Sequence, residues 1–358
     1  MTIVAKSNKH KRCSIVIPCY NVGEFVHKTL DSLFRQTHDN LQIVCVNDGS
    51  SDNTAAVLEY YARTSKSRLI ILHNSENRGD AFTRNAGVRH TNGEYLYFLD
   101  ADDTVENVFV EHMLELLEQY KADIGFFGRI EQHTNNEWKQ IPLTDRHLEL
   151  NEKETLSIAD KIFLVDTLSA VTSARIYRTS FYKQNRINYP EQCVQGSDNV
   201  VFWQSILAAK RICCSYELFW NYHYRKESLS NVLRTNPQAS AVWVIEARIA
   251  DLLQQSNQFT NFRVAYAKSK IVRLLHFGSK YEAQEQREFC RVCLDTDGLI
   301  TREFFEAILS LEFTELRPIR AKKNTLFTHL LNTAVAEKHH AIAGFNQEQI
   351  DELSRRLT

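Results

Sequence analysis

Four short, almost unbroken apolar runs, Ser14 to Pro18, Gln42 to Asn47, Leu69 to His73 and Glu94 to Leu99, punctuate the first third of the chain, each followed by a polar stretch of helical length. Runs that are apolar at successive rather than alternate positions suit strands covered on both faces, the condition of a parallel sheet between helices. The alternation therefore predicts an α/β domain with a parallel, doubly wound sheet. Helices are expected from Glu24 to Gln36, Asp52 to Ser65, Asp80 to His90 and Val108 to Tyr120, with Ser51 or Asp52 capping the second. A further strand is expected at Ile124 to Ile130, and the polar, irregular stretch from Glu131 to Glu152 reads as a loop. Weaker strand signals return at Ala174 to Tyr177 and Arg211 to Leu218, with a helix from Asn199 to Lys210 between them. Beyond about Asn231 only helical spacing remains, at Ala239 to Gln255, Val264 to Phe277 and Arg302 to Leu311. The expected organisation is a lead-in (1–12), an α/β domain (13–230, divided near 130) and a mainly helical region (231–358).

Each strand ends in turn residues, and in such sheets the loops at strand C-termini line the ligand crevice. The fourth run is the most informative. Tyr95 to Leu99 stops abruptly at Asp100-Ala101-Asp102-Asp103, and an acid directly after five apolar or aromatic residues is desolvated unless something pairs with it. Carboxylate ligands of this kind suit Mg²⁺ or Mn²⁺, which take one or two acids and fill the remaining positions with phosphate oxygens and water. The competing reading makes Asp102 or Asp103 a cap for a helix starting near Val105. Asp48, in Asn47-Asp48-Gly49-Ser50-Ser51-Asp52, stands where a carboxylate can accept from the imide N–H of uracil, although a capped turn needs much the same letters.

Composition narrows the partners. With 358 residues, 43% hydrophobic and 24% charged, the chain is long enough for about two domains, and a net charge of −1 provides no global field for nucleic acid or an anionic surface. No apolar run reaches the roughly 18 residues of a membrane span, and the basic lead-in with Lys6, Lys9, Lys11 and Arg12 has no apolar core of a signal peptide. A cytoplasmic protein is expected, with peripheral membrane contact through the lead-in as the alternative. Eight scattered cysteines fit a reducing compartment, and Cys290 and Cys293 form one CxxC with no second pair.

The order Ile15-Val16-Ile17-Pro18-Cys19-Tyr20-Asn21, Asn47-Asp48-Gly49-Ser50-Ser51-Asp52, Asn77-Arg78-Gly79, Arg84-Asn85-Ala86-Gly87, Phe98-Leu99-Asp100-Ala101-Asp102-Asp103 resembles the N-terminal half of family 2 glycosyltransferases, strongly from Cys13 to about Ile130 and weakly to about Ser230. The resemblance implies a Rossmann-like GT-A fold and an inverting transfer from a nucleotide-diphosphate sugar, UDP above others, to a saccharide or lipid-linked glycan of surface polysaccharide synthesis. It gives Pro18, Tyr20, Asn21 and Asp48 to the donor nucleotide, Arg84 to uracil or diphosphate, and Asp100 to ribose or a metal-bound water. Asp102 becomes the ligand of a Mn²⁺ or Mg²⁺ ion on the diphosphate, with Asp103 behind it. Such enzymes often take their base from a Glu-Asp pair at a helix start, where this chain has Gly196-Ser197-Asp198-Asn199, so Asp198 is the candidate base and Ser197 a departure. Helix capping alone also explains an Asp at 198. Tyr222-His223-Tyr224-Arg225, with Ser228 and Ser230, resembles a segment that closes over the diphosphate, naming His223 and Arg225, although alternating aromatics also describe an edge strand. Relatives frequently carry Lys in place of Arg175, a second departure.

Two rivals use the same residues. Asp100-Ala101-Asp102-Asp103-Thr104-Val105 fits the nucleophile motif of haloacid-dehalogenase-like phosphatases, but that motif normally ends the first strand of its domain, and here three strand–helix units precede it. The other is a nucleotide-sugar-binding scaffold in which the base is lost. Neither the sugar, the acceptor nor any oligomeric state is legible from the sequence.

Overall fold

The computed structural model describes residues 11–64, 68–132, 137–193, 196–225, 242–278, 293, 302–310 and 325–357. The chain opens with β1 (Cys13–Cys19), α1 (Val26–Phe34), β2 (Leu41–Asp48), α2 (Thr54–Thr64), β3 (Leu69–Asn74), α3 (Asp80–Arg89) and β4 (Tyr95–Phe98). It continues through β5 (Thr104–Val105), α4 (Phe109–Gln119), β6 (Ile124–Gln132), β7 (Trp138–Ile141), α5 (Asp145–Leu148) and α6 (Ile158–Thr167). β8 (Arg175–Arg178), α7 (Thr179–Gln184), α8 (Ser197–Ala208) and β9 (Ile212–Tyr222) follow.

The described strands form one sheet in the order β3-β2-β1-β4-β8-β6-β9-β5, with β7 paired on β6. β1 is parallel to β2 and to β4, and β2 to β3, whereas β8 runs antiparallel between β4 and β6. The sheet is therefore mixed, which corrects the wholly parallel expectation. A short strand signal such as Ala174 to Tyr177 says where a strand lies but not the direction from which it enters. Strand order reverses at β1, because β2 lies on one side and β4 on the other. The crevice outside the C-terminal ends of these strands is the switch point at which open α/β sheets bind ligands.

The strands form where they do because almost every side chain of β1, β2 and β4 is buried. The polar exceptions are paired: Ser14 Oγ donates to Gln42 Oε1 at 2.6 Å, Gln42 Nε2 to the His90 carbonyl at 3.0 Å, and the Gly93 N–H to Ser14 Oγ at 2.9 Å. Beneath the acidic motif, Tyr97 packs on Phe109 and Phe109 on Phe127 with centroids 4.7 and 4.8 Å apart. Asp52 caps α2, its Oδ1 accepting the Thr54 N–H at 3.0 Å.

Two other expectations change. The segment from Glu131 to Glu152 is not one loop: β7 pairs with β6, α5 follows, and a 3-10 turn covers Glu149–Glu152. β7 is exposed on nearly all its residues, so no apolar pattern announces it. No helix starts near Val105; Thr104–Val105 is strand and α4 begins at Phe109, so neither Asp102 nor Asp103 is a cap.

A cluster at the foot of β4 makes a pH-dependent prediction. Against a burial penalty that raises it, hydrogen bonds from Lys11, Tyr95 and Arg178 hold the Glu118 carboxyl down to about 2. A carboxyl lowered on folding stabilises above its unfolded value of about 4.3 and loses that contribution as pH falls toward 2. Because Glu118 is part exposed, Glu118→Gln is expected to cost only about 1 kcal/mol at pH 7, and less as pH drops below about 4.3. Thermal melts of both proteins between pH 7 and 3 check this, and a constant difference would contradict it.

The chain divides into two compact units, the first ending at Arg225. The second combines Val165–Thr167, Gln192–Gly196 and Lys226–Thr358. Its described part is helical, over Val242–Gln255, Phe259–Gly278, Arg302–Ser310, Thr325–Ala336 and Gln347–Leu357. Buried Glu246 and Arg273 join the first two of these helices, with Nε and Nη2 of Arg273 donating to the two carboxylate oxygens at 2.5 and 3.1 Å. The lead-in up to residue 10, Ser228, Ser230 and Cys290 lie outside the described residues, and Cys293 is buried. No described helix is long and apolar enough to cross a membrane.

Candidate active site

The loops after β1, β2 and β3 are tied to one another by short polar side chains. Asn21, at φ 51°, accepts the Ser51 N–H at 2.9 Å while its own N–H donates to Ser50 Oγ at 3.1 Å. Asp48 ends β2 almost wholly buried. Its Oδ1 accepts Asn74 Nδ2 at 2.6 Å and the Arg78 N–H at 2.9 Å, and its Oδ2 accepts the Gly79 N–H at 2.9 Å. Gly49 has φ +67°, and a Cβ there would come within 2.6 Å of the Glu76 carbonyl carbon, so only glycine lets the two loops touch. Pro18 lies beyond the last β1–β4 pair, at Val16, and Tyr20 is 47% exposed at the lip of the crevice.

Asp100 and Asp102 follow β4 on the same edge. Asp100 Oδ1 accepts Arg84 Nη2 at 2.5 Å, and Arg84, buried on α3, also pairs with Asp80 and lies 5.3 Å over the Tyr189 ring. Its Nε is buried without a partner among the described residues. Asp102 Oδ2 accepts Arg225 Nε at 2.6 Å, and that guanidinium covers the Phe25 ring at 4.5 Å. Burial raises the Asp102 carboxyl, Arg225 lowers it, and neighbouring Asp100 raises it further. Two carboxylates whose charges act on each other are a donor set suited to a hard divalent cation, which needs only one or two protein oxygens beside phosphate and water.

Asp103 faces the other way. Fully buried, it accepts Trp220 Nε1 at 2.8 Å and the His223 N–H at 3.0 Å, bolting β9 to the acidic motif. Burial, then Asp102 and Asp100, push its carboxyl well up. The sequence names Asp103 but not this partner, which comes from 117 residues later. His223 Nε2 lies 3.2 Å from Thr104 Oγ1, and burial with nearby Lys28 lowers its imidazole.

Asp198 lies in the first turn of α8, with its Oδ1 accepting the N–H of Asn199 at 3.0 Å and its Nδ2 at 3.2 Å. It keeps some exposed surface while protein crowds its carboxyl. Burial raises that carboxyl, Arg175 and then Arg84 lower it, and Asp100 raises it. Arg84 thus links the two groups of acids, paired with Asp100 and acting on Asp198 through space. Arg175, which sequence reasoning set aside, is fully buried in β8 with its Nη2 3.4 Å from the Asp198 carbonyl. β8 begins and ends on arginine, and nothing in its letters marks Arg175 as the buried one.

Residues 14–185 match the family model described as glycosyl transferase family 2. Among curated proteins, the chain is 28% identical over 227 residues to glycosyltransferase GlyA of Streptococcus pneumoniae, covering 62% of this chain and 32% of that one. It is 34% identical over 146 residues to YibD of Escherichia coli, an uncharacterized glycosyltransferase, covering 39% and 40%. It is 27% identical to the poly(ribitol-phosphate) beta-glucosyltransferase of Bacillus spizizenii, covering 60% and 32%. The chain thus spans about a third to two fifths of the length of these relatives. In three dimensions it resembles residues 1–349 of S. aureus TarS, solved with UDP-GlcNAc, at TM-score 0.69 and 18% identity over 92% of both chains. It also resembles the mannosyltransferase PcManGT of Pyrobaculum calidifontis, solved with GDP-Man and Mn²⁺, at TM-score 0.50 and 11% identity, covering 97% and 87%. These likenesses establish the GT-A fold.

Proposed function

Because residues 14–185 match the glycosyl transferase family 2 model, we propose that this chain is an inverting glycosyltransferase that moves a sugar from a UDP-linked donor to a saccharide or lipid-linked glycan. The observation that carries the reading is the pair of acids after β4, Asp100 held by Arg84 and Asp102 by Arg225, with Asp198 at the start of α8 within reach of the charges of Arg84 and Asp100. Inversion requires a base on the face opposite the leaving group. Asp198 takes the proton of the attacking hydroxyl, its oxygen bonds to the anomeric carbon, and the bond to the diphosphate breaks with the electron pair leaving on phosphate oxygen.

Asp102, with Asp100, would hold Mn²⁺ or Mg²⁺, which supplies neutralisation of the charge on the departing diphosphate. Arg225 now neutralises Asp102 and is positioned to exchange that acid for phosphate, with His223 beside it. Tyr20 and Pro18 form the wall against the nucleotide, Asp48 reads the uracil imide from a loop it also braces, and Asn21 sets the turn between them. The donor bound by TarS and the polyol phosphate in the name of the Bacillus spizizenii relative favour a UDP-sugar and a surface polymer. A nucleotide-sugar donor favours a reaction in the cytoplasm, at the inner membrane face if the acceptor is lipid-linked.

A thermal-shift panel of UDP and GDP, each with and without Mn²⁺, tests the site, since a ligand that binds only the native state raises its melting point. Ligand at about 100 times its dissociation constant stabilises by about 2.7 kcal/mol, expected for UDP with Mn²⁺ and lost in Asp102→Ala. No shift with any nucleotide would overturn the donor site, and a shift with GDP alone would change the nucleotide.

A further inference from the structure

Arg175 is the odd residue of the catalytic unit. It sits in β8, in the middle of the sheet, with none of its surface exposed. Its Nε donates to Tyr177 Oη at 2.5 Å, and its Nη1 to the carbonyls of Ala170 and Val171 at 2.9 and 3.2 Å. Its Nη2 reaches the Asp198 carbonyl at 3.4 Å, and its guanidinium lies 5.3 Å over the Phe202 ring. Every one of these acceptors is neutral. A buried guanidinium hydrogen-bonded only to neutral groups carries a desolvation cost of several kcal/mol unless a nearby anion offsets it. Arg84 meets that requirement with Asp80 and Asp100. For Arg175 the compensation comes from Tyr177 and Tyr189 first and then from the carboxylate of Asp198, whose backbone carbonyl its Nη2 reaches.

We propose that Arg175 is a positioning residue for Asp198: it anchors the Asp198 carbonyl in the first turn of α8 and, together with Arg84, sets a positive charge beside that carboxylate. The charged groups that face Asp198 are Arg175 from β8, Arg84 from α3 and Asp100 after β4, and on its own helix Asn199 donates to it. This rests on Asp198 being the base, but the charge pairing is testable without that assumption.

The test is a double-mutant cycle on the full chain, read by thermal unfolding: the parent, Arg175→Gln, Asp198→Asn and the double variant. Arg175→Gln is expected to lower the midpoint by about 3 °C more in the parent than in the Asp198→Asn background, because only the parent has a carboxylate to lose its partner. Equal losses in the two backgrounds overturn the proposal. If Arg175→Gln fails to fold, recovery of the double variant supports the pairing. If both fail, Arg175 serves the fold irrespective of Asp198 and the proposal is wrong.

A second readout is UDP release from UDP-GlcNAc across pH. In Arg175→Gln the acid limb of kcat/KM moves to higher pH, because the base holds its proton more tightly, and in Arg175→Lys, which keeps the charge, it returns toward the parent. A limb that stays in place in Arg175→Gln, with kcat merely lower, also counts against the idea. Full turnover in Asp198→Asn would remove the base assignment while leaving the unfolding cycle to judge the pairing.

Discussion

Asp198→Asn is expected to slow sugar transfer by about 10²- to 10⁴-fold, the range of a lost general base, while UDP binding stays within about twofold of the parent. The amide is nearly the shape of the carboxylate and keeps an oxygen for the Asn199 N–H, so the start of α8 holds. What it loses is the ability to take a proton. The pH profile supplies the sign. Burial raises the carboxyl of Asp198 against the pull of Arg175 and Arg84, so the proton that must leave for the base to act is held to a higher pH than on an ordinary aspartate. Activity therefore climbs with pH through that raised value and falls away below it. UDP release from donor and acceptor, followed over about pH 4.5 to 8, checks this; a profile flat to the acid end would count against Asp198.

Asp103→Ala is expected to cost about 3 kcal/mol and roughly 6–10 °C of melting temperature, because it takes the acceptor from one buried and one half-buried donor at once. Trp220 Nε1, in the core, and the half-buried His223 N–H both lose their acceptor. The damage should also spread to the donor site, since the bond to His223 fixes the segment that carries Arg225 to Asp102. Asp103→Asn keeps one acceptor and should cost less than half as much. Urea unfolding of the three proteins compares them directly, and an alanine variant as stable as the parent would show that Asp103 braces nothing.

The parts of the fold that sequence patterning describes well are those whose burial is set locally. β1 to β4 and α1 to α4 lie within a few residues of the expected positions because each strand is apolar throughout and each helix is bounded by turn residues. What escaped depends on partners remote in sequence. β7 is an exposed strand that exists because β6 offers it an edge, and nothing in its own letters is apolar enough to show that. α6 did carry a local signal, since Ser157 and Asp160 form a capping box, but it sat beside a stretch too polar to suggest a helix. The acids divide in the same way. Asp100 and Asp102 are legible because a buried strand points them at the crevice, whereas the task of Asp103 belongs to Trp220 and that of Arg175 to Asp198.

The carboxylate at the end of β2 bears on any effort to re-code the donor. Asp48 holds Asn74, Arg78 and Gly79 together, and Gly49 beside it allows no side chain. On the donor reading proposed above, Asp48 would carry nucleotide preference as well as loop cohesion, and a library that varies it will be filtered by folding before it is ever filtered by choice of base. Variation at Tyr20, exposed and bound to neither loop by its ring, is the freer route. In this architecture the selective part of the site is inherited with its scaffold, and drift in specificity should begin at the rim.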